Sequence, residues 1–210
     1  MKIWVALLWV LLMVGVVSAE PFRLVFIGPP GAGKGTQAKM LSKHFDIPHI
    51  STGAMLRDHI KRQTPAGKRA EAFVSSGALV PDQLIVAMLR QTLAKESGGF
   101  ILDGFPRNVE QAKILKEILH SQNQSLSRVV FLRVPDEVVI ERLSKRGRKD
   151  DKPKVIKNRL NVFRQKTAPV INYYAELGNL LPVSGEGNIQ EVQSRIRSRL
   201  QNSRTWMLAR

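Results

Sequence analysis

The sequence predicts an α/β protein whose helices cover both faces of a parallel β-sheet. Two observations support this prediction. Short apolar runs alternate with longer stretches of helical periodicity, and the first apolar run leads through a glycine-rich turn into a helical stretch. Strands that alternate with helices pair in parallel, because each helix returns the chain to the same end of the sheet. Functional groups are then expected at the carboxyl ends of the strands, where the ligands of such sheets bind.

The strands are predicted from short runs that are rich in β-branched, aromatic and leucine side chains. Four runs are clear, at residues 22–27, 100–102, 129–132 and 180–183, and residues 49–50 form a weaker fifth. Their near-continuous hydrophobicity is typical of strands that are buried on both faces.

Helices are predicted in the intervals between the strands, and the first of them extends to about Phe45. Pro81-Asp82 and Pro135-Asp136 are predicted helix starts, because proline suits the first turn and aspartate caps it. The sequence contains no internal repeat and no low-complexity linker, so we expect one folded unit.

The amino-acid composition narrows the classes of protein and of binding site that are possible. The chain has 210 residues, of which 43% are hydrophobic and 24% charged, which is typical of a globular domain with a core. The formal net charge of +16 favours anionic partners such as nucleic acid, acidic membrane or phosphorylated ligands. Because the chain has no cysteine, disulfides and thiolate metal sites are excluded.

The first 19 residues resemble a targeting segment. Lys2 precedes an apolar run at residues 3–17, and small residues follow at 18–19. This pattern is typical of a secretory signal, and the run is shorter than the roughly 20 residues of a membrane-spanning helix. The alternatives are an uncleaved anchor or an extension that the cell never uses. The rest of the chain favours a cytoplasmic location, with export or membrane tethering as the alternatives.

A glycine-rich segment follows the first predicted strand. Residues 28–34 have the spacing G-x-x-x-x-G-K, in which backbone N–H groups and the following helix surround phosphate oxygens and Lys34 reaches the outer phosphates. An ordinary glycine-rich turn is the alternative, but the strand before it and the helix after it favour phosphate binding. Gly35 follows the lysine, and the hydroxyl comes one position later, at Thr36.

The full string GPPGAGKGTQ resembles the phosphate loop of adenylate kinases and of their uridylate and cytidylate kinase relatives. The resemblance covers residues 22–200 and implies a three-layer P-loop fold with a five-stranded parallel sheet. It also implies a kinase domain at 20–210 that has a helical lobe for the nucleoside monophosphate at 51–80 and a very short lid at 145–149. The implied ATP-binding residues are Gly31, Ala32, Gly33, Lys34, Gly35, Thr36, Arg142, Arg146 and Gly187.

A second motif, STGAMLR at residues 51–57, resembles the entry to the family's monophosphate site. The resemblance places Thr52 beside the adenine of AMP and Arg57 on the AMP phosphate. A helix start capped by Ser51 or Thr52, with Arg57 in solvent, is the alternative. Ala54 replaces the acidic residue that is usual in the family.

A third motif, DGFPR at residues 103–107, directly follows a predicted strand. Asp103 is therefore expected at the carboxyl end of that strand, where it can hold Mg²⁺ through water. A simple Asp-Gly turn is the alternative. The family resemblance places Arg107 near the transferred phosphoryl group and Gln111 on the adenine edge.

The fourth feature is a cluster of charged residues in ERLSKRGRKDD and beyond. Arginine suits phosphoryl transfer because its planar fork binds phosphate and stabilises the charge of the transition state. A solvated helix face is the alternative. By resemblance, Arg142 lies over the ATP adenine, and Arg146, Arg148 and Arg159 contact phosphates and are oriented by Asp150 and Asp151. Only Gly147 separates Arg146 from Arg148, so the lid is very short, and without cysteine it has no family-type zinc site.

The resemblance implies a reversible transfer of the terminal phosphoryl group of Mg-ATP to AMP, which gives two ADP. It also implies a monomer whose partners are small nucleotides. The implied catalytic residues are Lys34, Asp103, Arg107, Arg146, Arg148 and Arg159. The implied AMP-binding residues are Thr52, Arg57, Ala78, Leu79, Val80, Gly104, Phe105, Pro106, Arg107, Gln111, Arg148 and Arg159.

Three alternatives remain open on sequence alone. A UMP or CMP kinase is indicated by Asn108, whereas Thr52 favours adenine and Gln111 occurs in both groups. A basic P-loop protein that binds nucleic acid would explain the charge of +16, but aromatic residues are only 6% and do not interleave with basic ones. A protein that binds nucleotide without turnover is the third.

Overall fold

The computed structural model describes residues 21–148 and 150–208, with side chains as far as residue 203. The targeting-like segment at 1–19 lies outside the described residues, and so does position 149 of the expected lid. Within the part that is described, no helix combines the length and the apolar character needed to cross a membrane.

Five parallel strands form one sheet, in the order β2-β3-β1-β4-β5. The strands are β1 Arg23–Ile27, β2 His49–Ser51, β3 Phe100–Asp103, β4 Arg128–Arg133 and β5 Leu180–Ser184. All neighbouring pairs are parallel. The predicted fold class is therefore confirmed, and each predicted strand is present with its ends shifted by no more than one residue.

Helices occupy the connections between the strands. They are α1 Lys34–Phe45, α2 Thr52–Lys61, α3 Pro65–Ser76, α4 Asp82–Leu93, α5 Val109–His120, α6 Asp136–Arg146, α7 Pro153–Val162, α8 Ala168–Glu176 and α9 Ile189–Leu208. A π-helical turn at Phe163–Thr167 joins α7 to α8 without a break. Such turns insert an extra residue and often occur near functional sites.

The central strand β1 shows how the three layers form. Its five residues are all buried, and successive side chains point to opposite faces of the sheet. Val25 and Ile27 join a core with side chains of α4, α5 and α8, whereas Leu24 and Phe26 join a second core with α1 and α9. The sheet is therefore covered on both faces, and the hydrophobic pattern of β1 is continuous for that reason.

The helices α4 and α6 begin where the sequence predicts, but the predicted aspartate caps are absent. Pro81 and Pro135 are the residues that precede α4 and α6, so Asp82 and Asp136 lie inside the first turn, and neither side chain caps its helix. A carboxylate in the first turn still interacts favourably with the helix dipole. It is also free to bind elsewhere, and the carboxylate of Asp136 pairs with Arg164.

Two segments extend from the sheet next to its carboxyl edge. The first consists of α2 and α3, which pack so closely that a Cβ atom at Gly67 would lie 2.1 Å from the carbonyl oxygen of His59. The second is the connection from α6 to α7. There α6 ends at Arg146, Gly147 adopts the left-handed conformation with φ 70°, and α7 begins at Pro153.

We expect Leu24→Ala to lower the free energy of unfolding by about 2–5 kcal/mol, because it leaves a cavity beneath the central strand. Leu24 is fully buried, whereas Leu177 is 44% exposed at the end of α8. Leu177→Ala is the matched control and should cost less than about 1 kcal/mol. Urea denaturation of the full-length variants measures both values, and equal losses would contradict this account of the core.

Candidate active site

The phosphate loop lies between β1 and α1, at the carboxyl edge of the sheet. Gly31 has φ 86°, and a Cβ atom there would lie 2.8 Å from the carbonyl oxygen of Val139. The Lys34 ammonium donates hydrogen bonds to the carbonyl oxygens of Gly28 at 2.7 Å and Pro29 at 2.8 Å. The loop thus curves around the lysine, and glycine is required at Gly31 by both conformation and space.

Lys34 lies in an environment that disfavours its positive charge. Burial lowers the pKa of the ammonium to about 8; the charge of Asp103 opposes this shift, and the charge of Arg107 adds to it. A ligand that brings negative charge next to Lys34 would reverse the shift, because an opposite charge favours the ionised form.

Asp103 ends β3, beside the first turn of α1. Its carboxylate accepts a hydrogen bond from Ser51 at 3.3 Å and lies 3.8 Å from Nε2 of His49. Burial by itself would raise the pKa of Asp103, but the neighbouring imidazole of His49 and the charge of Lys34 outweigh it, so the pKa lies below its usual value. Asp103 is therefore ionised at neutral pH.

The residues around Asp103 suit a magnesium ion better than an all-protein metal cage. In the described part of the chain, no three His, Asp or Glu side chains are grouped so that they could hold a metal. Mg²⁺ in phosphate sites uses one or two carboxylates together with water and phosphate oxygens. Asp103 and Thr36 line the same cleft as the phosphate loop, and one carboxylate together with one hydroxyl fits such an ion.

Two aspartates hold the arginines at the α6–α7 connection. Asp151 accepts hydrogen bonds from the Arg146 guanidinium at 2.8 and 2.5 Å and from the backbone N–H of Arg148 at 3.0 Å. Arg159 donates to Asp150 at 2.8 Å and lies 3.5 Å from Asp151. The Asp151 side chain is only 2% exposed, so it links the end of α6 to α7 within a partly buried ion network.

Arg142 contacts the loop that follows β5. Its guanidinium donates to the carbonyl oxygens of Gly185 at 3.0 Å and Gly187 at 3.4 Å. Arg195 of α9 donates to the carbonyl oxygens of Ser184 and Glu186 in the same loop. Two arginines thus fix the shape of this loop beside the phosphate loop.

A cleft of about 1730 Å³ opens at the carboxyl edge of the sheet. Every residue that the sequence predicted for ATP lines it, and so do Asp103 and Arg148. The ATP set consists of Gly31, Ala32, Gly33, Lys34, Gly35, Thr36, Arg142, Arg146 and Gly187.

A smaller cavity of about 70 Å³ adjoins this cleft. It is lined by most of the residues predicted for AMP, namely Thr52, Arg57, Ala78, Leu79, Val80, Gly104, Phe105, Arg107, Gln111 and Arg159. Of the remaining two, Pro106 lines a third, neighbouring cavity, and Arg148 faces the large cleft. Thr52 is 1% exposed, and its hydroxyl donates to the Asp103 carbonyl oxygen at 3.3 Å.

Arg107 and Arg159 line both the cleft and the smaller cavity. The Arg107 guanidinium donates to the carbonyl oxygen of Gly104 at 2.8 Å, and the hydroxyl of Thr167 donates to the Arg107 carbonyl oxygen at 2.8 Å. Burial, and then the charge of Arg159, lower the pKa of Arg107. Two cations therefore repel each other at the junction of the cavities, where an anion would stabilise both.

Sequence reasoning missed several contacts that shape the site, although it named Ser51 as a possible cap of α2, and the Ser51 hydroxyl does accept the backbone N–H of Ala54. His49 and Ser51 surround the Asp103 carboxylate, and Thr167 lies in the π-helical turn that holds the Arg107 backbone. No motif signals these contacts, because each joins residues more than 50 positions apart. Asp82 was predicted only as a helix cap, although its carboxylate binds side chains of α5.

Asn108 has a structural task at the start of α5. Its side-chain oxygen accepts the backbone N–H of Gln111 at 2.7 Å, and its amide nitrogen donates to Asp82 at 3.0 Å. Asn108 is not among the residues that line the smaller cavity. The argument that linked Asn108 to a pyrimidine base therefore has no geometric support.

The fold and the site define a P-loop nucleotide-binding protein with a basic cleft in two parts. Comparison with known sequences narrows the class. The sequence model of the adenylate kinase family matches residues 26–179. Adenylate kinase 1 of Nostoc sp. is 49% identical over 180 residues, which are 85% of this chain and 98% of that protein.

Two other similar proteins are also adenylate kinases. Adenylate kinase of Prochlorococcus marinus strain MIT 9211 is 44% identical over 85% of this chain and 96% of its own length. Adenylate kinase of Corynebacterium urealyticum is 45% identical over 81% of this chain and 94% of its own length. The chain therefore belongs to the adenylate kinase family.

We expect Asp151→Asn to destabilise the protein in a pH-dependent way. Burial alone would raise the pKa of Asp151, but the hydrogen bonds from Arg146 and Arg148 outweigh it and lower the pKa from 3.8. The stabilisation is then fully present above the ordinary pKa and is lost as the pH falls through the lower, folded-state pKa. At pH 7 the variant should lose about 1.5–3 kcal/mol.

Urea denaturation of wild type and Asp151→Asn between pH 7 and pH 3 measures this difference. The difference should be constant above about pH 5 and should shrink below about pH 4. The exposed Glu117, which makes no side-chain contact of this kind, provides Glu117→Gln as the matched control. A difference that grows on acidification would contradict the assignment.

Proposed function

We propose that this chain transfers the terminal phosphoryl group of Mg-ATP to AMP and so forms two ADP. An AMP phosphate oxygen attacks the γ-phosphorus, and the bond from that phosphorus to the β-phosphate oxygen breaks. The observation that carries this proposal is that Arg107 and Arg159 line both the cleft of the phosphate loop and the smaller cavity. A phosphoryl group passing from one nucleotide to the other would cross this junction. The names of the relatives also support the reaction.

ATP would occupy the larger cleft. In this proposal the backbone N–H groups of Gly31, Gly33 and the start of α1 surround its phosphates, as phosphate loops do. Lys34 leaves the carbonyl oxygens that it now contacts and binds the outer phosphates. Arg142 and the Gly187 loop form the wall for the adenine.

AMP would bind at the smaller cavity, inside a lobe formed by residues 51–80, with its base toward the cavity and its phosphate toward the large cleft. Thr52 and the backbone of Ala78–Val80 enclose the adenine in this proposal, and Gln111 contacts its edge. Arg57 binds the AMP phosphate at the mouth of the cavity. Gly104 permits the close approach, because a Cβ atom there would lie 2.6 Å from the Thr52 hydroxyl oxygen.

The cofactor of the proposed reaction is Mg²⁺, which Asp103 would hold through water. When bound, the ion neutralises the phosphate charge that the reaction moves. The low pKa of Asp103 supports this role, because the carboxylate is ionised before the ion arrives.

Catalysis would consist of positioning and charge stabilisation. The transferred group carries negative charge on its equatorial oxygens, and a protein contributes mainly aligned cations. Arg107, Arg146, Arg148 and Arg159 supply them in this proposal. Asp150 and Asp151 orient the guanidinium groups of Arg146 and Arg159, and Asp151 also holds the backbone of Arg148. Because the lid at 145–149 is short, it would cover little of the site. The exclusion of water would therefore depend mainly on closure of the lobe at 51–80.

A coupled assay on the full-length chain tests the reaction, with Mg-ATP as donor and AMP, UMP, CMP or GMP as separate acceptors. We expect rapid turnover with AMP alone. Arg107→Ala should reduce kcat/KM on the order of 10³-fold or more, by analogy with arginine fingers. Arg90→Ala, an exposed arginine at the end of α4, is the matched control. Near-normal turnover by Arg107→Ala would contradict the role of Arg107, and absent turnover with AMP in the wild type would overturn the proposed function.

The low pKa of Lys34 predicts that Mg-ATP binding takes up a proton near pH 8. The free ammonium is partly deprotonated there, since its pKa is about 8, and the phosphates favour the protonated form. Calorimetry in two buffers of different ionisation enthalpy measures the uptake, which should disappear in Lys34→Met. Lys116→Met, on the exposed face of α5, is the control and should retain it. Equal uptake in wild type and Lys34→Met would refute the prediction.

A further inference from the structure

Asp82 and Gln111 form a partly buried contact beside the smaller cavity. The Asp82 carboxylate accepts a hydrogen bond from the Gln111 side-chain nitrogen at 2.6 Å. The Gln111 side-chain oxygen accepts the backbone N–H of Arg107 at 2.7 Å. Gln111 is 2% exposed and lines the cavity, whereas Asp82 does not.

These two contacts allow only one orientation of the Gln111 amide. If the amide were reversed, its oxygen would face the Asp82 carboxylate and its NH₂ group would face the Arg107 N–H. The first contact would then bring two acceptors together and the second would bring two donors together. The polar groups would lose their hydrogen-bond partners, which is costly for buried groups. Asn108 holds Asp82 in place, because its amide nitrogen lies 3.3 and 3.0 Å from the two carboxylate oxygens.

An amide that is held in one orientation presents a defined pattern of hydrogen-bond donors and acceptors to a base. A glutamine amide has two N–H donors and two acceptor lone pairs, and the structure uses one of each. The remaining N–H seeks an acceptor, and the remaining lone pair seeks a donor. The edge of a 6-amino purine offers an acceptor at N1 and a donor at the amino group. The edge of a 6-oxo purine offers the reverse pattern, with a donor at N1 and an acceptor at O6.

We propose that Asp82 is a positioning residue that selects a 6-amino purine over a 6-oxo purine by fixing the Gln111 amide. This inference rests on the proposed function in taking the smaller cavity as the site of the nucleoside monophosphate and Gln111 as the contact to the edge of its base. Asp82 begins α4, but its side chain caps no helix. Its hydrogen bonds go to Asn108 and Gln111, so helix capping does not explain its place.

Direct binding of AMP and inosine monophosphate to the full-length chain tests the inference. The two ligands have the same size and differ in the pattern of the purine edge. Calorimetry without ATP should show that wild type prefers AMP by about 10²-fold or more, as in sites built to hydrogen-bond one partner. In Asp82→Ala only the Arg107 N–H still orients the amide, so AMP affinity should fall about tenfold and the preference should shrink by at least the same factor.

Two further variants separate positioning from general stability. Gln83→Ala, at the neighbouring exposed position of α4, should behave as wild type. Asp82→Asn keeps one oxygen that can accept from Gln111 and should therefore retain more of the AMP preference than Asp82→Ala. In the phosphotransfer assay Asp82→Ala should raise KM for AMP, with kcat within about threefold of wild type and KM for ATP unchanged.

The outcomes are distinguishable from those of the proposed function. Equal losses of AMP and inosine monophosphate affinity in Asp82→Ala would overturn the inference, because a merely structural role weakens both. A wild type that binds AMP no better than inosine monophosphate would overturn it as well. If wild type prefers AMP and Asp82→Ala loses the preference, the inference stands, even if no variant transfers a phosphoryl group and the proposed function fails.

Discussion

Repulsion among like charges is the constraint on which the site depends. Lys34, Arg107, Arg146 and Arg159 face one cleft, and mutual repulsion contributes to the lowered pKa values of Lys34, Arg107 and Arg159. Few carboxylates oppose them, and Asp103, Asp150 and Asp151 lie at the points where the cations meet. The side chains of the site therefore carry an excess of positive charge, which a phosphorylated ligand would balance.

The fold supplies rigid positions for these charges. Parallel strands end at the same edge of the sheet, so the phosphate loop after β1 and Asp103 at the end of β3 become neighbours. Two buried cores fix β1 from both faces. The arginines, in contrast, come from α6, α7 and the loop before α5, which surround the edge. Electrostatic stabilisation of phosphoryl transfer requires such groups to be in place before the reaction.

The smaller cavity adds a second kind of selectivity. Charge attracts phosphates of any nucleotide, whereas base choice requires oriented hydrogen bonds. The contacts among Asp82, Asn108 and Gln111 provide one orientation of the Gln111 amide, and the Asp82 carboxylate itself does not line the cavity. The net charge of +16 therefore says little about specificity.

The sequence by itself determined the strands, the phosphate loop and the motif residues, because each depends on a local pattern such as a buried run or a glycine spacing. The sequence pattern alone places Lys34, Asp103 and Arg107 at one edge of a parallel sheet. Only the tertiary structure decided that Asp82 contacts Gln111 instead of capping α4, and that Asn108 contacts Asp82 and does not line the smaller cavity. These outcomes depend on how α4 packs against α5, and packing between distant segments leaves no periodic signal in the sequence.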